Sequence, residues 1–279
     1  MIIKIRPSDT SFLWGCKRCF WLKYKHGVIN ESFPAGGLTR NLATVQANQV
    51  RDQRIEKLIP SIGCCGEFHS EEKNVASEPI PVNSEHTFFT GGRYDALWEM
   101  DDDSVACIDL KSTTAARFDP AAQERKKTKL AETYGWQCNA YAFALKHPAS
   151  ESFAAEAKPE APRGTFGNML GGGSRKVSHI GLLFYQIDPL SEDTYKTIRD
   201  YAPVAINEKG FIAWVQEAAD IIALDEAPEP RMGIGSGGNL IKSGSCEDCL
   251  YLERFSMKFG VTEQLPDHGI PPVFGELLG

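Results

Sequence analysis

No run in the 279-residue chain approaches the ~20 consecutive apolar residues that a bilayer-spanning helix needs. The opening stretch, MIIKIRPSDTSF, lacks the long apolar core of a secretory signal. No internal repeat is visible, and the sequence contains no helicase motor. Positive charge is not in excess either. The formal net charge is −7 and the isoelectric point about 5.5, which argues against indiscriminate binding to nucleic acid. These absences lead to the expectation of a soluble, cytoplasmic protein with no membrane partner.

What is present is ordinary globular composition: 42% apolar and 24% charged residues, at a length within the range of a single mixed α/β domain. Eight cysteines in an unsecreted chain are expected to be reduced. Their placement is uneven. Cys16 and Cys19 form a C-x-x-C near the start, Cys246 and Cys249 a second near the end, and Cys64, Cys65, Cys107 and Cys138 are scattered.

Residues 11–26 mix aromatic and basic side chains and are expected to form a short helix around the first cysteine pair. Pro34–Gly37 breaks the chain. From Leu38 to Ile59 there is no proline or glycine, and Leu42, Val45, Ile55 and Leu58 recur at roughly helical spacing, which predicts one helix. Glu67–Val75, His86–Thr90 and Gly91–Trp98 read as strands. Asp101–Ser104 reads as a turn leading into an apolar strand, Val105–Leu110, so that a hairpin is expected. Residues 114–131 read as charged and partly mobile, Tyr134–Lys146 as a helix, and 148–176, rich in Pro, Ala, Glu, Gly and Ser, as a flexible insertion. A strand at His179–Ile187 and an amphipathic helix at Phe211–Leu224 follow, then a Gly-rich loop, Pro228–Gly244, that delivers the second cysteine pair.

The chemistry concentrates in G-G-R-Y-D-A-L and C-I-D-L-K-S-T. On adjacent strands of a hairpin, Asp95 and Asp109 converge on one side of the sheet, and Lys111, two residues on, shares that face. Two carboxylates that close repel each other unless a cation lies between them. Oxygen donors with few others suit Mg²⁺ or Mn²⁺ better than zinc. Such an ion activates water and neutralises charge on a scissile phosphate, while Lys111 orients the attacking water or stabilises the transition state. An isolated D-x-K is usually a solvated surface hairpin, so the surrounding motifs decide.

G-x-x-D, a turn, an apolar strand ending in D-x-K, then Q-x-x-x-Y on a helix resembles the PD-(D/E)XK nuclease superfamily. More narrowly it resembles the RecB-like branch, which includes CRISPR-associated exonucleases with cysteine clusters. The matching residues are Gly92 and Asp95, Asp109 and Lys111, and Gln137 and Tyr141, spanning roughly residues 90–145. The resemblance implies a restriction-endonuclease-like α/β fold, a mixed β-sheet flanked by helices with a small cysteine-clipped terminal subdomain. It implies metal-dependent cleavage of DNA, exonucleolytic on single strands or ends. Asp95 and Asp109 would bind metal with the Leu110 carbonyl, Lys111 would be catalytic, and Gln137 and Tyr141 would contact DNA or position the lysine. A further ligand from an upstream helix is expected, with Glu56 preferred and Asp52 behind it. Helicase or CRISPR-adaptation proteins are the partners the resemblance implies.

Four cysteines from the two chain ends can hold Zn²⁺ or a 4Fe-4S cluster if the ends meet. The related enzymes usually place one cysteine early and three late, whereas this chain has two and two. The resemblance favours iron–sulfur. Arg117, Arg125, Lys126, Lys127 and Lys129 are candidates to line the entrance and contact phosphates. Lys17, Arg18, Trp21, Lys23, Tyr24 and Lys25 interleave basic and aromatic residues as a single-strand groove would. Two other readings stay open: a catalytically silent DNA- or protein-binding module of the same fold, and an iron–sulfur sensor in which the carboxylates are incidental.

Overall fold

The computed structural model describes residues 1–11, 17–27, 37–71, 73–114, 120–157, 173–187 and 197–228. Two compact units divide the chain: Met1–Ser11 with Ala35–Asp220, and Phe12–Pro34 with Ile221–Gly279. No described helix is long and apolar enough to cross a membrane.

The first unit is mixed α/β, with two mixed sheets flanked by helices. Its strands are β1 (Ile2–Ile5), β2 (Gly66–Glu71), β3 (Asn74–Ala76), β4 (Thr87–Arg93), β5 (Ala96–Met100), β6 (Val105–Thr114), β7 (Val177–Ile187) and β8 (Thr197–Val204). In the order β2-β5-β6-β7-β8 they form a five-stranded sheet, antiparallel at every pairing except the parallel β6–β7. The second sheet has the order β1-β4-β3, with β1 parallel and β3 antiparallel to β4.

The helices are α1 (Lys17–His26), α2 (Gly37–Val50), α3 (Ile55–Leu58), α4 (Pro120–Lys146), α5 (Glu151–Ala157) and α6 (Glu208–Ala223). Strand β6 is central and covered on both faces, so Val105–Ile108 are all buried and the strand reads as a continuous apolar run. Val105 and Cys107 face Cys138, Tyr141 and Leu145 of α4. Ala106 and Ile108 face Val50, Ile55 and Leu58 of α2 and α3, with Trp98 of β5. One face of β6 therefore belongs to α4, and the D-x-K residues continue that face.

Several elements differ from their sequence expectations. The 38–59 helix breaks after Val50, because Asp52 adopts φ +58°, a left-handed conformation that short polar side chains tolerate. Glu67–Val75 is two strands in different sheets, β2 and β3. Gly91–Trp98 is also divided, since β4 runs to Arg93 and β5 starts at Ala96. Residues 120–131, expected to be mobile, are the first turns of α4. Pro120 is its first residue and good helix formers (Ala, Gln, Glu, Arg, Lys, Leu) dominate those turns, so the charge there marks a solvated helical face. Residues 148–157, expected to open a flexible insertion, carry α5. Its Phe153 meets Phe89 edge-on, ring centroids 5.5 Å apart, and Ala154 and Ala157 are buried with it. Strands β1 and β8 carry no sequence expectation. The hairpin turn at Asp101–Ser104 is present, with Asp103 at φ +61° and the Ser104 N–H donating to Asp102 Oδ1 at 3.1 Å.

Of the second unit, residues 17–27 and 221–228 are described. Helix α1 starts at Lys17 and buries Arg18, Cys19, Phe20, Trp21 and Leu22. Trp21 Nε1 donates to the Leu224 carbonyl at 3.0 Å. The residues from 229 onward, including the Gly-rich loop and second cysteine pair, lie outside the described residues, as does Cys16.

Candidate active site

The β5–β6 ladder sets the geometry. Ala96 pairs with Ile108, so the next residues outward are Asp95 and Asp109. There the ladder stops, and the Asp95 carboxylate replaces the missing strand partner: its Oδ2 accepts the Leu110 N–H at 2.7 Å. Asp109 is 3% exposed, and its Oδ1 accepts from Gln137 Nε2 at 2.8 Å. Asp109 Oδ2 lies 2.6 Å from Lys111 Nζ. Lys111 Nζ in turn stands 4.8 Å from the centroid of the Tyr134 ring. Tyr141 donates its hydroxyl to the Arg93 carbonyl at 2.7 Å, tying α4 to the end of β4. Gly92 beside it is required by Pro7, whose Cδ would stand 2.8 Å from a Cβ there, while Tyr141 Cε1 would be in ordinary contact at 3.6 Å.

The electrostatics follow from placing the half-buried Asp95 beside the buried Asp109. Burial, then the neighbouring Asp109 charge, push the Asp95 carboxyl from 3.8 up to about 7, against the pull of Lys111 and the Leu110 N–H. Burial by itself lowers Lys111, but the charge and hydrogen bonding of Asp109, with Asp95 and Tyr134, outweigh it and hold the ammonium above its usual range. Burial raises Tyr141, reinforced by both aspartates. It also raises the Cys107 and Cys138 thiols, which therefore stay protonated beside the site.

Asp95, Asp109, Lys111, Gln137 and Tyr141 are thus brought together. The pair fits a hard divalent cation on three grounds. The two carboxyl groups stand next outward from the Ala96–Ile108 pair, close enough that the Asp109 charge raises Asp95, which a proton or a cation relieves. Asp109 Oδ2 is buried, with the Lys111 ammonium 2.6 Å away but no hydrogen bond of good geometry. The available donors are oxygens, with the Leu110 carbonyl on the same stretch of β6. No group of three His, Cys, Asp or Glu gathers among the described residues.

Glu56, the expected upstream ligand, is not part of the site. It lies on α3, where its Oε1 is 2.6 Å from Arg54 Nε and its Oε2 accepts the Gly66 N–H at 3.3 Å. Gly66 is opposite Met100, roughly 16 Å along β5 from Asp95 at the usual rise of a strand. Arg54 holds the Glu56 carboxyl below its ordinary range. Asp52 is exposed on the turn that ends α2. The residue α2 does bring to this end of β6 is Gln46, buried, whose Nε2 donates to Ser112 Oγ at 2.9 Å and to the Lys111 carbonyl at 3.3 Å. Neither Gln46 nor Tyr134 has a sequence motif. Tyr134 could be found from its position three residues before Gln137, on the same helical face.

Arg125 and Lys129 are exposed on α4 and Lys126 is half-buried, whereas Lys127 is ion-paired to Asp200 at 2.9 Å. Arg117 lies outside the described residues. In α1 the groove reading fails for Trp21, which is 5% exposed and offers no stacking face. Lys17 is exposed, Lys23 and Tyr24 are half-buried, and Lys25 bonds to the Leu224 carbonyl. Of the four paired cysteines only Cys19 is described, buried on α1.

No family model matches this chain, and no curated protein matches it. Among solved structures, a crystal structure of SSO0001 is similar at 12% identity and a TM-score of 0.42, covering 81% of this chain and 78% of that one.

Proposed function

We propose that this protein is a Mg²⁺- or Mn²⁺-dependent deoxyribonuclease with a restriction-endonuclease-like core, its centre formed by Asp95, Asp109 and Lys111. The observation that carries the reading is the placement of Asp95 beside the buried Asp109 at a hairpin end, with Lys111, two residues on, 2.6 Å from Asp109 Oδ2. The order α2, antiparallel β2-β5-β6, α4, then β7 parallel to β6 supports the fold assignment.

Asp95, Asp109 and the Leu110 carbonyl would hold the ion, which supplies a more acidic water and neutralises phosphate charge when bound. The residues do the rest. Gln137 fixes the Asp109 carboxylate through Oδ1, leaving Oδ2 facing the lysine and the open end of the hairpin. Lys111 places a positive charge where the phosphoryl oxygens gain negative charge, an effect enlarged by its partial burial. In the hydrolysis, the water oxygen bonds to phosphorus and gives up a proton, one ester P–O bond breaks, and the leaving oxygen takes a proton, so that one water is consumed per bond cut. DNA ends or single strands as substrate, cytoplasmic placement, and helicase or CRISPR-adaptation partners belong to this reading through the resemblance alone. So does a structural 4Fe-4S cluster, or zinc, on Cys16, Cys19, Cys246 and Cys249.

A second reading, a silent nucleic-acid- or protein-binding module, is favoured by one observation: no third acidic ligand joins the pair among the described residues. Cleavage of end-labelled single- and double-stranded DNA by anaerobically purified wild type and Lys111→Ala, with Mn²⁺ and with EDTA, separates the two. The nuclease reading expects Mn²⁺-dependent products from wild type and a loss of at least ~100-fold in the variant. Intact DNA with folded wild type transfers the case to the binding module.

A further inference from the structure

The Lys111 ammonium is held from two sides. Asp109 Oδ2 lies 2.6 Å away and the centroid of the Tyr134 ring 4.8 Å away. A cation over an aromatic face is drawn by the ring quadrupole, and the attraction grows as water is removed. The Lys111 side chain is only 23% exposed. Tyr134 lies three residues before Gln137 and seven before Tyr141, so α4 presents all three toward the same face of β6. The Tyr134 ring is half-buried against the cluster that includes Cys138, Leu182 and Ala202, which fixes its plane.

A lysine side chain has four rotatable bonds, and a single ion pair leaves its head free to swing around the carboxylate. The ring removes that freedom. We propose that Tyr134 is a positioning residue: its ring face holds the Lys111 ammonium beside Asp109, fixing where the lysine's charge meets the substrate. The catalytic consequence rests on the nuclease reading above; the ring's hold on Lys111 does not.

Wild type, Tyr134→Phe and Tyr134→Leu are compared by two readouts. The first is DNA cleavage with Mn²⁺. Tyr134→Leu is expected to lose about tenfold in kcat with KM within about twofold, while Tyr134→Phe, which keeps the ring, stays within about twofold of wild type. The second is acetic anhydride labelling of each lysine, read by peptide mass spectrometry in EDTA. Lys111 is expected to label at least about fivefold faster in Tyr134→Leu and unchanged in Tyr134→Phe. Unchanged kcat and unchanged Lys111 labelling in Tyr134→Leu would overturn the proposal. So would a Tyr134→Phe as impaired as Tyr134→Leu, or faster labelling of every lysine alike, which would mean general loosening. If no protein cleaves DNA but the Lys111 labelling difference persists, the ring contact stands and the nuclease reading falls.

Discussion

At the scale of single residues, the site is governed by the cost of placing two carboxylates together. In the metal-free protein the folded state keeps Asp95 protonated up to about pH 7, whereas the unfolded chain releases that proton near its ordinary 3.8. A raised carboxyl gives its stabilising contribution below pH 4 and loses it as pH climbs toward 7. Asp95→Asn removes the titration. In EDTA at pH 8 the variant is therefore expected to be more stable than wild type by roughly 1–3 kcal/mol, the gap closing toward pH 4. Urea unfolding at the two pH values checks this, and an equal gap at both would mean that Asp95 titration is not its source. The grouping of Asp95, Asp109, Lys111, Gln137 and Tyr141 is legible in the sequence because strand alternation and i, i+4 helical spacing place each side chain on a determinate face. Gln46 and Tyr134 are not legible in that way. Packing brings Gln46 to the Lys111 carbonyl, and no local pattern marks it.

Whole elements show where such reasoning stops. Helix α4 begins well before Tyr134, since a charged but strongly helix-forming stretch looks like a loop when only apolar periodicity is counted. Backbone amides of Glu124–Thr133 are accordingly expected to exchange with solvent much more slowly than those of an unstructured loop. Exchange within seconds throughout that stretch would contradict the helix. The misplacement of Glu56 has the same kind of origin. Read as one helix from 38 to 59, the segment carries Glu56 toward the site; the left-handed Asp52 ends α2 and turns α3 to the far end of β5 instead. Gly92 lies where β4, Pro7 and α4 meet, and Gly92→Ala must displace Pro7, 2.8 Å from the added Cβ. A loss of about 1–3 kcal/mol in stability is expected, with a melting temperature equal to wild type as the contrary result.

For the molecule as a whole, net charge and local chemistry pull in different directions. A chain of net charge −7 repels DNA at long range, so any grip must come from local cations; beside the site, Arg125 and Lys129 are exposed on α4 and Lys127 is ion-paired to Asp200. Binding to single-stranded DNA in Ca²⁺ is expected to weaken with salt at a log–log slope of only about −2 to −4. A slope beyond about −7 would mean an extensive backbone interface, contrary to a grip made by the α4 cations alone. Within the second unit, the bond from Trp21 Nε1 of α1 to the Leu224 carbonyl is a long-range feature that nothing local to either segment reveals.

The nuclease reading depends on Asp95 and Asp109 forming a divalent-cation site. The decisive measurement is calorimetric titration of Mn²⁺ near pH 6.5 in two buffers of different ionisation enthalpy. Micromolar-to-millimolar binding is expected, accompanied by release of up to one proton, the one Asp95 holds at that pH, with both signals lost in Asp109→Ala. Binding without proton release, or binding unchanged in Asp109→Ala, would contradict a cation held between the two carboxylates.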